Sequence, residues 1–141
     1  MELPSNVKIK TFPWTALPLL GKYTAHAIYP NIYIPKNIYE NLKSKNPNPE
    51  YVSVLLHEQT HIKRQKQAGW FIWGLKYCFS RNFRFNEEFE AIKTQIKYLK
   101  SKNMKFDTAR RAKYLSGPLY LWCISYKEAK EKLDYLQLGN Q

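Results

Sequence analysis

Cysteine and histidine are scarce in this chain, two and three residues in 141. No Cys–His zinc-finger spacing is present, since Cys78 and Cys123 are far apart and both follow the histidines, and these cysteines, each set among aromatic residues, read as buried free thiols rather than a disulfide. Internal repeats, low-complexity tracts and Gly/Ser linkers are missing too; the loop Ser44-Lys45-Asn46-Pro47-Asn48-Pro49 is the clearest punctuation. Met1-Glu2-Leu3-Pro4-Ser5-Asn6 carries neither a basic n-region nor an apolar h-region, so no signal peptide is expected and the expected compartment is the cytoplasm. No apolar run reaches the about 20 residues of a membrane-spanning helix. Residues 69–79, the most apolar stretch, lie between Lys66 and Arg81 with Lys76 inside them, and are expected to pack in the core over a neighbouring helix, with interfacial membrane binding as the alternative. Acidic residues are few, 11 against 23 basic ones, for a net charge of +12. Such a surface attracts polyanions, whether nucleic acid or an acidic membrane, but a diffuse basic field reads no base sequence.

What is present suits one compact domain spanning 1–141, since 44% hydrophobic and 16% aromatic content can fill a core. Residues 1–46 hold most of the prolines and the β-favouring runs Tyr23-Thr24-Ala25-His26-Ala27-Ile28-Tyr29 and Ile32-Tyr33-Ile34, which predict strands and loops. Residues 47–141 are mostly helical in pattern. Asn48-Pro49-Glu50 supplies an N-cap, a first-turn proline and an acidic first turn, and Tyr51, Val52, Leu55, Leu56 and Ile62 continue as an apolar stripe up to Gly69. A second long helix is expected from Asn86, a shorter one over Asp107–Leu115, and a last one from the capping box Ser125-Tyr126-Lys127-Glu128 to about Leu136. The aromatic stretch Leu119–Ile124 is expected to complete the core. Strands followed by helices define an α+β fold.

Two of the three histidines fall in His57-Glu58-Gln59-Thr60-His61, an HExxH pattern inside the first long helix. Four helical residues advance by about 400°, so the two rings emerge within about 40° of each other and can grip one ion. Glu58 points elsewhere, where it can hold and deprotonate a water beside the metal. Lys63, Arg64 and Lys66 complement the C-terminal end of the helix dipole. A catalytic zinc ordinarily takes three protein ligands, so a third donor is sought downstream. Glu87, Glu88 and Glu90 cluster at the expected start of the second long helix; a helix N-terminus accounts for two such carboxylates, and a third facing inward exceeds that need.

HExxH followed by a helix bearing Glu88-Phe89-Glu90-Ala91-Ile92 resembles the gluzincin metallopeptidases, which include thermolysin, the HtpX and CAAX-protease group and the compact minigluzincins. The resemblance covers residues 49–100. It implies a zinc ion held by His57, His61 and Glu88, with Glu87 or Glu90 as substitutes for Glu88, and a small antiparallel sheet packed on the helical zincin core, whose edge strand pairs with an extended peptide substrate. Ile92 stands where many gluzincins place an aspartate that supports a zinc-bound histidine, so that support must come from elsewhere.

The expected function is therefore zinc-dependent peptide hydrolysis, with Glu58 as base for the water and then acid for the leaving amine. His26, Tyr114, Tyr120, Tyr126 and Arg110 are the candidates for stabilising the oxyanion. The alternative is a basic binding or regulatory protein whose site is structural, degenerate or latent. Minigluzincins are similar in being prone to latency, which would place residues 1–22 or 130–141 in the cleft; regulatory peptidases of mobile elements also resemble the HExxH and Glu-x-Glu-Ala combination.

Overall fold

A computed structural model describes residues 1–16 and 24–139. The fold is α+β, with three strands and six α-helices among the described residues. Contacts divide the chain into two compact units, Met1–Trp70 and Phe71–Gln141.

In the first unit, β1 (Val7–Ile9), β2 (His26–Ile28) and β3 (Asn31–Ile34) form a sheet in the order β1-β3-β2. β2 and β3 are an antiparallel hairpin about Tyr29-Pro30, with Ala27 opposite Ile32. β1 runs parallel to β3, pairing Val7 with Ile32 and Ile9 with Ile34, so the sheet is mixed where the resemblance implied an antiparallel one. Strand alternation sends Ile32 and Ile34 into the core and turns Tyr33 to the other face, against Trp14 and His26. Tyr23, the first residue of the expected strand, lies outside the described residues.

Helix α1 (Lys36–Lys43) was not legible in the sequence; Ile38 and Leu42, one turn apart, join Val7, Ile32, Ile34 and Leu55 in one buried cluster. Helix α2 (Pro49–Ala68) has the expected ends. Asn48 Oδ1 accepts from the Glu50 backbone N–H at 2.9 Å, Pro49 opens the first turn, and Gly69 stops the helix at φ 81°, a left-handed value that a Cβ would disfavour. Gln65 then ties α2 to the sheet: its amide donates to the Ala27 carbonyl at 3.0 Å and accepts from the Tyr29 N–H at 2.7 Å.

The second unit holds α3 (Trp70–Phe79, whose first residue closes the first unit), α4 (Arg81–Ser101), α5 (Thr108–Leu115) and α6 (Tyr126–Leu138). Its core is Ile92, Ile96, Leu99, Ala112, Leu115, Ala129 and Leu133, with Phe106 and Cys123 at its edge. Asp107 caps α5, and Ser125 caps α6 through the expected box, its hydroxyl also bonding the Glu128 carboxylate at 2.8 Å. Helix α4 starts at Arg81, capped by Ser80, and not at Asn86, so the acidic cluster lies in its second and third turns, beyond the reach of the dipole argument.

Core packing of residues 69–79 is not what forms. Only Trp73 of α3 is buried, while Trp70, Phe71, Ile72, Leu75 and Phe79 are exposed. Cys78 shares that outer surface and is an exposed thiol rather than a buried one; Cys123 is buried and free. Within Leu119–Ile124, Cys123 joins the core and Leu121 and Trp122 stay outside it.

Candidate metal centre

Histidines 57 and 61 leave α2 one turn apart, and both are buried. Their Nε2 atoms lie 3.1 Å from each other, with ring centroids 4.8 Å apart and ring planes at 76°. Two nitrogens each 2.0–2.1 Å from a tetrahedral zinc stand about 3.3 Å apart, so the pair has close to the spacing of two ligands of one ion. Imidazole nitrogen is also the donor that zinc takes most readily beside thiolate and carboxylate, so the donor set fits the metal.

Glu58 is buried beside them on the same helix. An electrostatic partner was missed in the sequence: Lys10, just past β1, is buried, donates from Nζ to the Thr24 carbonyl at 2.7 Å and to the Thr24 hydroxyl at 3.3 Å, and lies within reach of the Glu58 charge. Burial pushes the Lys10 ammonium below its ordinary pKa while Glu58 draws it back up. One lysine in a chain with 23 basic residues carries no signal until β1 is seen to hold it inside.

His26, a candidate oxyanion donor, packs against Trp14 at 4.9 Å and Tyr33 at 5.1 Å, two rings that also meet each other at 5.4 Å. Burial, with the Lys10 charge adding to it, lowers its pKa to about 4, so the ring is neutral at pH 7. The other candidates belong to the second unit. Arg110 and Tyr114 contact each other along α5 at 3.2 Å, the Tyr120 hydroxyl accepts from Arg111 at 3.2 Å, and Tyr126 is exposed.

The three glutamates of α4 separate by direction. Glu90 is on the outside, paired with Lys93 at 2.7 Å. Glu87 is buried and accepts from the Trp73 indole N–H at 2.8 Å; Glu88 is buried and accepts from the Tyr77 hydroxyl at 2.6 Å. Trp73 and Tyr77 stand one turn apart on α3 and stack at 4.7 Å, so one helix face presents two donors to two carboxylates. Arg84, one turn before Glu88 on α4, is buried with its Nε on the Tyr120 carbonyl and its guanidinium 5.7 Å from the Tyr77 ring. A buried carboxylate is costly unless it is hydrogen-bonded or holds a cation, and Glu87 and Glu88 each have a donor from α3. Neither aromatic donor was assigned this role from the sequence, although their i, i+4 spacing carries it. Ile92 sits in the apolar core, so the support that an aspartate would give at that position is absent there.

His57, His61 and Glu88 make up a group of buried donors that could hold a metal ion. Of the segments expected to cover a latent site, residues 7–9 are β1 and 130–138 belong to α6, whereas 17–22 and 140–141 lie outside the described residues. No helix among the described residues is long and apolar enough to cross a membrane. Comparison with protein-family models, curated proteins and solved structures finds no match.

Proposed function

We propose that this chain is a zinc-dependent peptidase of the gluzincin type, with His57, His61 and Glu88 as metal ligands and Glu58 as general base. The observation that carries the proposal is the convergence of the His57 and His61 Nε2 atoms at 3.1 Å with a buried carboxylate next to one of them in sequence. When bound, zinc supplies a Lewis acid that acidifies water and polarises a carbonyl. Glu58 takes the proton of the attacking water and returns it to the departing amine, while the Lys10 amine, held by Thr24, lies within reach of that carboxylate. Tyr77, donating to Glu88, fixes the carboxylate's orientation, as partners behind a ligand commonly do.

The mixed sheet also bears on substrate binding. Ala27 C=O and Tyr29 N–H on the outer side of β2 are already held by Gln65, so an extended peptide cannot add to β2 at that point while the clamp is closed. A second reading, a structural zinc in a basic binding protein, is favoured by one fact: both histidines, Glu58 and Glu88 are all buried, as in closed structural sites.

Glu58→Gln separates the two readings. The peptidase reading expects that variant to retain zinc at wild-type stoichiometry while hydrolysis of a quenched-fluorescence peptide library drops at least about 100-fold, in line with the usual worth of a general base. Zinc-loaded wild type without any hydrolysis would leave the structural reading.

A further inference from the structure

Helix α3 is built inside out for a surface helix. At about 100° per residue, Phe71, Ile72, Leu75 and Phe79 fall within an arc of about 100°, and Trp73 and Tyr77 fall on the opposite side. The inner side carries the polar work, donating to Glu87 and Glu88. The outer side is apolar and open, with Ile72 49%, Leu75 44% and Phe79 85% exposed. Lys76 stands at the rim of this arc, its ammonium 5.8 Å from the Phe83 ring.

The loop after α5 carries exposed apolar side chains of its own and is tied to the residue that opens α4. Leu121 and Trp122 both adopt left-handed backbone, φ 53° and 49°, which residues with a Cβ rarely take, and their side chains are 50% and 59% exposed. Hydrogen bonds hold the loop in that shape. Leu121 N–H donates to Pro118 and Trp122 N–H to Gly117, and the Arg81 guanidinium, two residues past Phe79, donates to the Trp122 carbonyl at 3.1 Å. One arginine, two residues after Phe79, thus ties the start of α4 to the backbone of the Leu121-Trp122 turn.

We propose that this surface seats the protein on an anionic lipid bilayer, with α3 lying in the headgroup plane and Trp122 inserting beside Phe79. Trp and Phe over a rim of Lys and Arg is the chemistry of interfacial helices. The net charge of +12 complements an acidic leaflet and opposes self-association of two like-charged copies through the same face. Ile72, Leu75 and Leu121 offer nothing to a phosphate or a base, which argues against nucleic acid as the occupant. At about 15 Å, α3 can lie on a bilayer and cannot cross it.

The test is co-sedimentation of the full chain with large vesicles of phosphatidylcholine, with or without about a third phosphatidylglycerol, for wild type, Phe79→Ser/Trp122→Ser and Glu58→Gln. Binding to the acidic vesicles at least about ten-fold above the neutral ones, weakened by salt and by a similar factor in the double variant, is expected, with a blue shift of tryptophan emission in the wild type. Glu58→Gln should bind as wild type does, because that substitution keeps the metal ligands and every exposed side chain of this surface. Equal sedimentation with both vesicle types, or an unchanged double variant, overturns the proposal. So does light scattering that finds a wild-type dimer which the double variant loses, since a second copy would then be the occupant.

Discussion

Replacing Gln65 by methionine keeps the length of a buried side chain and deletes both ends of the clamp between α2 and β2. The wild-type amide makes two hydrogen bonds, 3.0 Å to the Ala27 carbonyl and 2.7 Å from the Tyr29 N–H. Each is worth about 1 kcal/mol net, and each leaves behind a partly buried backbone group that water reaches poorly, so the expected cost is about 2–4 kcal/mol. Against a total stability on the order of 10 kcal/mol for a chain of this size, that is a large fraction. Urea unfolding followed by circular dichroism, with the slope checked for constancy, reads it directly. Gln65→Glu adds a sign test. As a carboxylate the new side chain accepts from Tyr29 but faces the Ala27 carbonyl with no proton, whereas as a carboxylic acid it restores both bonds. Its deficit relative to wild type should therefore shrink as pH falls from 7 toward 4. A cost below about 0.5 kcal/mol for Gln65→Met, or a Gln65→Glu deficit independent of pH, would refute the clamp.

Acid should also weaken the first unit through His26. Its folded pKa of about 4 lies below the ordinary 6.5, so the unfolded chain binds the extra proton first, and stability contributed by the neutral ring is lost as pH falls from 6.5 toward 4. The wild type should lose more stability than His26→Gln over that window, and a constant difference between them would contradict the burial argument. The two cysteines should react apart: a thiol reagent at neutral pH modifies the exposed Cys78 and spares Cys123, whose burial, aided by the nearby Glu88 charge, pushes its pKa up to about 11. Two fast thiols in the native protein would show that the second core opens readily.

Local signals with a fixed spacing were legible in the letters: the Asn48-Pro49 start and Gly69 stop of α2, the Ser125 box of α6, and the i, i+4 histidines. Each depends on residues within a turn of one another. Long-range features were not. β1 is three residues whose pairing with β3 brings Lys10 indoors, and nothing in Val7-Lys8-Ile9-Lys10 distinguishes that lysine from the exposed ones. The start of α4 was placed too late because Ser80 is a weak signal, and Arg81-Asn82-Phe83-Arg84 after it supplies no acidic first turn. Residues 69–79 misled for a different reason, since apolar composition states a preference for burial without stating what does the burying, and Trp73 and Tyr77 use their polar atoms on the buried side. Glu88 could not be separated from Glu87 and Glu90 by composition; helix direction and the Tyr77 hydroxyl single out its environment.

The central claim is that two imidazoles and one carboxylate of this chain hold zinc. X-ray absorption at the zinc edge on remetallated wild type, with metal content measured in parallel for Glu88→Ala, tests it most directly. The account predicts about one zinc per chain with two imidazole nitrogens at about 2.0–2.1 Å, oxygen in the remaining positions, no sulfur, and a loss of affinity in Glu88→Ala. A wild type that takes up no zinc, or a spectrum showing sulfur at about 2.3 Å, would contradict it.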